Sequence, residues 1–344
     1  MKTTNLAIRL GVAALALLAS ASLAHAQAYK APRTAYGAPD LEGTWTNASI
    51  TGLERPASMP GLVISEEQAK RMEAQAIARS VAGDRPTDPN APPPTVGGDV
   101  GGYNAGWTDP GTKVGRIRGQ ARGSWIIDPA DGRLPYTAAG KAAFAKQLAY
   151  ARETFDGPEA RPLGERCILG FGSTAGPPML NVLYNNNYQF VQTKDQIAIL
   201  VEMNHDVRII RLNTKDHLPP HVRPWMGDSI GWWEGDSLVV ETTNFNLAEG
   251  LRPNMSVSYF MSPDAKVTER FTRVAADQIL YEFSVDDPKT FTRVWKAEMA
   301  LNATKGPIYE YACHEGNHAL DGILAGARQD EKAGRKTAAV DLGE

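Results

Sequence analysis

The second half of the chain alternates apolar and polar residues with a period of two. In residues 196–203, for example, Ile197, Ile199 and Val201 share one face, whereas Glu202 lies on the other. Short runs of this kind, separated by turn-forming residues such as Glu-Gly-Asp, are typical of antiparallel strands joined by tight turns. We expect about eight to ten strands, which is enough for one closed barrel or one sandwich.

The first half of the chain has a different pattern and predicts helices and loops. Residues 65–80 and 138–155 have helical spacing, and Ser65 and Thr137 are suitable N-cap residues. A run rich in proline, glycine, aspartate and asparagine, 81–113, predicts a long loop. Three further elements are a short strand at 41–47, a closing helix at 315–328 and a polar tail at 329–344.

Together these patterns divide the chain into four parts. The expected parts are a leader at 1–26, a segment rich in helices and loops at 27–165, an antiparallel β domain at 166–328 and the tail at 329–344. We expect the second part to pack on the β domain. The fold class is therefore mainly β, within the α+β group, with helical decorations at both ends of a barrel or a strongly curved sheet.

The leader has the features of a secretory signal. Lys2 and Arg9 come before its apolar run, 10–18, and Ala24 and Ala26 form an A-x-A cleavage site. The run is too short to cross a bilayer, and no later segment is apolar over the necessary length. We therefore expect cleavage after Ala26 and a periplasmic or secreted protein without stable membrane insertion.

Charge and cysteine content narrow the possible partners. The leader contains two of the 36 basic residues, so its removal leaves 34 basic against 39 acidic residues, a net charge of −5. Because no run of lysine or arginine forms a stripe, we expect no nucleic-acid partner. Export favours a disulfide between the two cysteines, Cys167 and Cys313, over two separate buried thiols.

Four segments carry a family signature: RPWMGDSIGWWEGDSLVVETTNF (223–245), VEMNHDVRIIRL (201–212), GPPML with NYQFVQT (within 176–193) and YEYACHEGN (309–317). Together they resemble a large group of exported bacterial proteins of unassigned chemistry, and the resemblance covers roughly residues 124 to 328. The segment LEGTWTN near the mature start resembles the G-x-W strand that opens lipocalin and other calycin barrels. This second resemblance implies an antiparallel, calycin-like barrel.

Acid–base side chains cluster near predicted strand ends. Glu202 and His205 lie at the end of one strand, Glu241 lies within another, and His314 follows a β-like run. A glutamate and a histidine at one pocket mouth can act as acid and base near neutral pH, so these four residues are our catalytic candidates. The alternative is a structural network in which the glutamates pair with arginines of neighbouring strands.

Tryptophans and polar residues in and around 223–245 predict a ligand-binding surface. Trp232 and Trp233 are adjacent on a strand and must point to opposite faces, so at most one of them lines a pocket from that strand. Arg208 or Arg223 can stabilise an anionic intermediate. The ligand-binding candidates are Arg208, Arg223, Trp225, Trp232, Trp233 and Asn244.

Two histidine patterns suggest a metal but lack supporting context. His314 and His318 match H-E-x-x-H, yet Gly316 and the preceding β-like run argue against the helix that a zinc protease needs. His217 and His221 have a ligand spacing, but the prolines between them prevent a helix and no evident further ligand completes the set. We expect one packed and one exposed histidine in that loop, and no bound metal.

The functional hypothesis combines these observations. The chain contains no nucleophile elbow, no phosphate-binding loop and no dinucleotide fingerprint, and we expect no cofactor. Our main hypothesis is an exported barrel that binds a small apolar or aromatic molecule and acts on it as a cofactor-independent lyase, isomerase or hydrolase. One alternative is a non-catalytic carrier or scavenger of a hydrophobic ligand, and another is a structural envelope protein that displays its tryptophans to a partner.

Overall fold

The fold is built around one long β-sheet. A computed structural model of the chain describes residues 29–84, 90, 92, 108–170, 176–252, 254 and 258–339; the predicted leader and most of the predicted loop 81–113 lie outside them. The strands are β1 (Gly43–Thr46), β2 (Arg116–Ile117), β3 (Gln120–Ala121), β4 (Ile126–Asp128), β5 (Asn187–Gln192), β6 (Gln196–Val201), β7 (Val207–Arg211), β8 (Asp228–Glu234), β9 (Ser237–Thr243), β10 (Leu251–Arg252), β11 (Tyr259–Phe260), β12 (Lys266–Ala275), β13 (Gln278–Asp286) and β14 (Trp295–Ala303). The helices are α1 (Glu66–Gly83), α2 (Ala138–Glu153) and α3 (Ala319–Lys332).

Nine of these strands close into a barrel. They follow the order β1–β5–β6–β7–β8–β9–β12–β13–β14, and the ring closes because β1 also pairs with β14, with Trp45 opposite Ala303. β4 pairs with β14 as a tenth strand of the same sheet. The mainly β fold predicted from the alternating pattern is confirmed, and the closed barrel is compatible with a calycin-like fold.

One pair of neighbouring strands makes the barrel mixed, so the prediction of a purely antiparallel barrel is wrong. β7 and β8 run parallel, with Ile210 opposite Ser229 and Arg211 opposite Ile230. Tight turns join antiparallel neighbours, whereas parallel neighbours need a long connection that returns the chain to the same end. Residues 212–227 form that connection, which we call the crossover.

Two helices begin where the sequence places their caps. Ser65 accepts a hydrogen bond from the Gln68 amide at 3.1 Å, and Thr137 accepts one from the Gly140 amide at 2.8 Å. Each cap satisfies one of the amides that the first helical turn leaves without a partner. The third helix, α3, begins at Ala319 instead of residue 315 and extends into the predicted tail.

Side chains fill the lumen, which forms the hydrophobic core. Alternation along β5, β12, β13 and β14 directs large rings inward, and none of those rings is more than 3% exposed. They belong to Tyr188, Phe190, Phe271, Tyr281, Phe283 and Trp295. The rings of Phe271 and Tyr281 stack with centroids 4.9 Å apart, and Phe190 meets Phe271 edge-on at 5.7 Å. A site for a small molecule is therefore to be sought on the outer surface or at the ends of the barrel.

A strap, residues 304–312, crosses the outside of the barrel after β14. The Thr304 amide donates to the Thr44 carbonyl of β1 at 3.0 Å, and a disulfide between Cys167 and Cys313 ties the end of the strap to the segment before β5. The predicted disulfide is confirmed, and it indicates an oxidising compartment. Among the helices described, none is long and apolar enough to cross a membrane.

Candidate functional site

The outer face of β8 and β9 carries Glu241, one of the predicted catalytic residues. Alternation along β9 points Val240 into the core and Glu241 outward, opposite Ile230 of β8 and Thr268 of β12. The β8–β9 hairpin turns at Gly235, whose φ of 62° favours glycine. Glu241 therefore stands in the middle of the barrel wall rather than at a flexible turn.

The crossover brings His217 onto the same face. His217 lies between two carboxylates, with Nδ1 2.8 Å from Oδ2 of Asp228 and Nε2 3.3 Å from Oε1 of Glu241. The exposed fractions of the His217 and Glu241 side chains are 20% and 27%. Both groups are thus ordered by the protein and still open to a solute.

Asp228 fixes the histidine ring. Its carboxylate accepts the Leu218 amide at 2.9 Å and a guanidinium N–H of Arg211 at 2.8 Å. Burial raises the pKa of Asp228, but the Leu218 amide, His217 and Arg211 outweigh burial and hold the pKa below its usual value. Asp228 is therefore ionised at neutral pH, and it accepts a hydrogen bond from the Nδ1–H group of His217.

The contact between His217 and Glu241 requires a proton between them. Because Nδ1 donates to Asp228, Nε2 faces an acceptor oxygen, and two acceptors repel each other unless one carries a proton. The proton resides either on Nε2, which makes the ring an imidazolium, or on the carboxyl group. Nζ of Lys266 lies 3.3 Å from the other Glu241 oxygen and forms an ion pair with it. The His217–Glu241 pair can give a proton to a bound molecule and take one back.

Arg223 and Asn244, two predicted ligand-binding residues, hold the crossover in place. Asn244 donates to the Leu218 carbonyl at 2.9 Å, next to His217, and Arg223 donates to the Phe245 carbonyl at 3.0 Å. Asn244 has a φ of 56°, in the left-handed region that asparagine tolerates better than most residues. Both residues therefore fix the position of His217 indirectly, and direct contact with a ligand stays a prediction.

The three tryptophans separate as strand geometry requires. Trp233 packs against the core, whereas Trp232 lies on the outer face and is 40% exposed. The prediction that these two rings point to opposite faces is confirmed. Trp232 pairs with Val239, so it shares the outer face with Glu241 one diagonal position away, and Trp225 is exposed in the crossover. An exposed aromatic ring thus borders the acid–base pair.

Glu202 and His205 lie beneath and beside the strap. Glu202 is buried, and its carboxylate accepts the side-chain amide of Asn187 at 2.8 Å and the backbone amide of Tyr309 at 3.0 Å. His205 is exposed, with Nδ1 3.2 Å from the Tyr311 carbonyl. Glu202 therefore anchors the strap, and His205 is the more accessible of the two titratable groups. Their catalytic role stays a prediction.

A groove of about 680 Å³ lies between the strap and the barrel wall. It is lined by Thr44, Gln189, Leu200 and His205 of the barrel and by residues 306–310 of the strap. Ligand pockets of proteins commonly have volumes of roughly 300–1,000 Å³. Beyond the groove the outer faces of β5 and β7 expose Val191, Val207 and Ile209. This groove is a second candidate site, three strands away from Glu241 on β9.

His314 lies on the surface beyond the disulfide. Residues 313–316 form a turn and α3 begins at Ala319, so His314 and His318 do not share a helical face, and both are exposed. Within the described ranges, no three His, Cys, Asp or Glu side chains are arranged to hold a metal ion. The structure does not bring His314 to Glu241, and its proposed role stays a prediction.

Arg208 lies inside the barrel, away from both surface sites. It forms an ion pair with Glu269 and donates to hydroxyl groups of Ser229 at 3.2 Å and Thr242 at 3.0 Å. Tyr281 donates its hydroxyl hydrogen to the same glutamate at 2.8 Å. Each donor nitrogen of Arg208 has an acceptor here. This arrangement matches the alternative hypothesis, in which glutamates and arginines of neighbouring strands form a structural network.

His217 is the residue that sequence reasoning missed. The HLPPH segment predicts one packed and one exposed histidine, and His217 is half-buried while His221 is exposed. Its two carboxylate partners, however, lie 11 and 24 residues further along the chain. No spacing rule connects a loop histidine with two separate strands, although Asp228 and Glu241 fall near each other once the β8–β9 hairpin is drawn.

Comparison with known proteins assigns no activity. No protein-family model matches the chain, and no curated protein matches it significantly. Function is therefore inferred from the geometry of the two surface sites, of which the His217–Glu241 pair has the more specific chemistry.

Proposed function

We propose that this protein is an exported, cofactor-independent enzyme that transfers protons on a small molecule at the His217–Glu241 pair. The observation that carries the proposal is the position of His217, with Asp228 2.8 Å from one ring nitrogen and Glu241 3.3 Å from the other. A carboxylate that fixes the tautomer of a histidine leaves the second nitrogen available for acid–base catalysis. In this protein the second nitrogen, Nε2 of His217, faces the Glu241 carboxylate, and the two groups can exchange a proton.

The reaction class follows from what this pair supplies. A molecule that enters between Nε2 and Glu241 would lose a proton to one group and gain a proton from the other. Such transfers isomerise a carbon acid, eliminate a leaving group or activate water for hydrolysis. Lys266 beside Glu241 can stabilise negative charge that develops on the substrate. Isomerase, lyase and hydrolase are therefore the proposed classes.

The surroundings favour a substrate that is partly apolar or aromatic. Trp232 presents an exposed ring on the face that carries Glu241, and Trp225 and Val222 are exposed in the crossover that carries His217. Aromatic side chains offer a large apolar area for stacking, and a few polar groups then fix the orientation of the ligand. A molecule with an apolar body and a polar, reactive end fits this combination.

The groove beside the strap favours a second function, a carrier or scavenger of a hydrophobic ligand. Its volume of about 680 Å³ suits a small molecule, and Leu200 and Ile308 offer apolar contact while His205 offers a polar one. In that case the bonds around His217 serve only to anchor the crossover. The two functions differ in which surface binds and in whether a bound molecule is changed.

Export and family relationship belong to the same proposal. The leader that ends at Ala26 and the disulfide both support a periplasmic or secreted location. The closed barrel supports the resemblance to calycin proteins, since Gly43 and Trp45 of the G-x-W pattern lie in β1. The resemblance to exported bacterial proteins of unassigned chemistry agrees with both points.

Proton NMR in D₂O tests the proposed activity without a known substrate. The purified protein is incubated with a panel of ketones, lactones, esters and aromatic hydroxy acids, because exchange of carbon-bound hydrogen, elimination and hydrolysis are all visible in the spectra. We expect at least one compound to react. We expect Glu241→Gln and His217→Gln each to slow that reaction by about 10²- to 10⁴-fold, the usual contribution of a general acid or base.

Glu282→Gln is the matched control. Glu282 also lies on the outer face of the barrel, on β13, and it makes no ion pair with the part of the chain that the structure describes. Its loss should leave the rate unchanged. Turnover that persists in both His217→Gln and Glu241→Gln would refute the proposal. Absence of turnover, together with binding of a hydrophobic dye that Leu200→Glu abolishes, would favour the carrier function.

A further inference from the structure

Unpartnered polar atoms concentrate at one end of the barrel. Among the buried side-chain nitrogen and oxygen atoms of the described residues that lack a hydrogen-bond partner, seven belong to five neighbouring residues. The seven are Oδ2 of Asp206, both carboxylate oxygens of Glu249, Nε and Nη2 of Arg252, the Tyr259 hydroxyl and Nε1 of Trp295. Buried polar groups are nearly always paired, so such a concentration requires a physical reason.

The five residues form one cluster. Arg252 and Tyr259 are opposite each other in the β10–β11 pair, and Oε1 of Glu249 lies 2.9 Å from Nη2 of Arg252. The rings of Tyr259 and Trp295 meet edge to face with centroids 6.0 Å apart. Burial raises the pKa of Glu249, and the nearby charge of Asp206 raises it further. The cluster therefore lies at the end of the lumen where Trp295 begins β14.

Arg252 presents an unused donor edge. Its Nη1 donates to the Gly176 carbonyl at 2.9 Å, and its guanidinium lies 5.1 Å from the centre of the Phe245 ring. Its Nε and Nη2 make no hydrogen bond with the described residues, although Oε1 of Glu249 lies 2.9 Å from Nη2 as an ion pair. These two nitrogens donate in parallel from one edge of a planar group, which is the geometry that binds both oxygens of a carboxylate.

We propose that this cluster binds the carboxylate group of a small organic acid. The two oxygens of the ligand would accept from the Nε–Nη2 edge of Arg252, and the N–H of Trp295 and the O–H of Tyr259 are further donors. The rings of Phe245, Tyr259 and Trp295 provide apolar contact for the rest of the molecule. Water can satisfy these atoms one at a time, but two oxygens at a fixed separation match the arginine edge better. The site is separate from the His217–Glu241 pair and does not depend on the proposed activity.

Glu249 couples this binding to protons. Burial raises the pKa of Glu249 to about 7 and that of Asp206 to about 6. The charged groups that face Glu249 are Arg252 and Asp206, and the Tyr259 hydroxyl is the remaining titratable neighbour. A bound carboxylate repels ionised Glu249, so the complex favours the protonated form, which becomes another donor. With a pKa of about 7, the protonated fraction of Glu249 falls about tenfold between pH 6 and pH 8.

Calorimetric titration with sodium acetate tests the proposal. Acetamide is the isosteric, uncharged control, and sodium chloride at equal ionic strength controls for salt. We expect saturable binding of acetate, at least about tenfold weaker binding of acetamide because the paired oxygens are lost, and about a tenfold loss of acetate affinity from pH 6 to pH 8. Equal responses to the three solutes would mean that the cluster holds water only and would overturn the proposal.

Two variants and a control locate the binding. Arg252→Gln should abolish acetate binding, whereas Glu249→Gln should retain it and lose its pH dependence. Arg122→Gln is the control for loss of a buried arginine, because Arg122 pairs with Glu298 on the outer face of β14. It should bind acetate as the wild type does. If Arg252→Gln does not fold, the measurement on Glu249→Gln is sufficient. A tenfold pH dependence of acetate affinity that persists in Glu249→Gln would contradict the proposal.

Discussion

Two clusters of the same three residue types, arginine, glutamate and tyrosine, are buried in this protein, and they differ in hydrogen bonding. In the barrel cluster, Arg208 pairs with Glu269, while the Tyr281 hydroxyl donates to Glu269 at 2.8 Å and accepts from the Met179 amide at 2.9 Å. The other donors of Arg208 reach hydroxyl groups on β8 and β9. All polar side-chain atoms of the barrel cluster therefore have partners.

The end cluster, formed by Arg252, Glu249 and Tyr259, is equally buried but incompletely bonded. Its residues are at most 2% exposed, yet both glutamate oxygens, two guanidinium nitrogens and the tyrosine hydroxyl lack hydrogen-bond partners within the described residues, although Glu249 and Arg252 form an ion pair. Buried charges are tolerated when their hydrogen bonds are complete and destabilise the fold when they are not. The barrel cluster thus holds strands together, whereas the end cluster is arranged for a group that these residues do not provide themselves.

Loss of the counter-ion in the barrel cluster should have the largest effect on stability. Glu269→Gln leaves the Arg208 guanidinium in the core without a compensating charge. We expect the free energy of unfolding to fall by about 3–5 kcal/mol, as for other buried pairs broken on one side. Urea denaturation followed by tryptophan fluorescence at pH 7 measures the change. A loss below about 1 kcal/mol, the value typical of exposed pairs, would contradict the assignment of this cluster as structural.

The corresponding substitution in the end cluster, Glu249→Gln, should raise the free energy of unfolding at pH 8 instead of lowering it. Burial raises the pKa of Glu249 from 4.5 to about 7, so the folded protein retains a proton that the unfolded chain releases between these pH values. Stability from this group is therefore lost as the pH rises from 4.5 to 7, by about 3 kcal/mol in total. Glu249→Gln removes this loss, and we expect it to stabilise the protein at pH 8 by up to that amount.

Urea denaturation at pH 5 and pH 8, in buffers without carboxylates, measures this difference between Glu249→Gln and the wild type. The stabilisation should be present at pH 8 and much smaller at pH 5, where Glu249 is protonated in the folded state. Glu282→Gln on the outer face should change neither value. If Glu249→Gln destabilises the protein at both pH values, the Arg252–Glu249 contact is structural and the contrast between the clusters disappears.

The sequence allowed the barrel wall to be predicted, because alternation is a local property. A shift of one residue along β6 would turn Ile197 and Ile199 outward, so their register is fixed by the hydrophobic effect. The same rule predicts that Trp232 and Trp233 point to opposite faces, as they do in the structure. The disulfide could also be predicted, since two cysteines allow only one pairing and the predicted leader favours oxidation.

The contents of the barrel cluster and of the candidate site could not be predicted, because they depend on the order of strands. Arg208 and Glu269 are 61 residues apart and meet only because β7 and β12 face each other across the lumen. That arrangement includes the parallel β7–β8 pair, which depends on the crossover rather than on any alternating pattern. The crossover also brings His217 to Glu241. This one unpredicted connection therefore explains why neither the barrel cluster nor the candidate site could be predicted.

The smallest expected effects give the most direct comparison of the two clusters. Tyr281→Phe leaves Glu269 and the Met179 amide each short of a buried partner, and we expect a loss of about 1–3 kcal/mol. Tyr259→Phe removes a hydroxyl that has no partner among the described residues, and we expect a change within about 0.5 kcal/mol. Both variants remove one oxygen from a fully buried ring, so urea denaturation of the pair isolates hydrogen bonding from packing. Equal losses would mean that the Tyr259 hydroxyl already bonds an ordered water, in which case the end cluster is complete and needs no ligand.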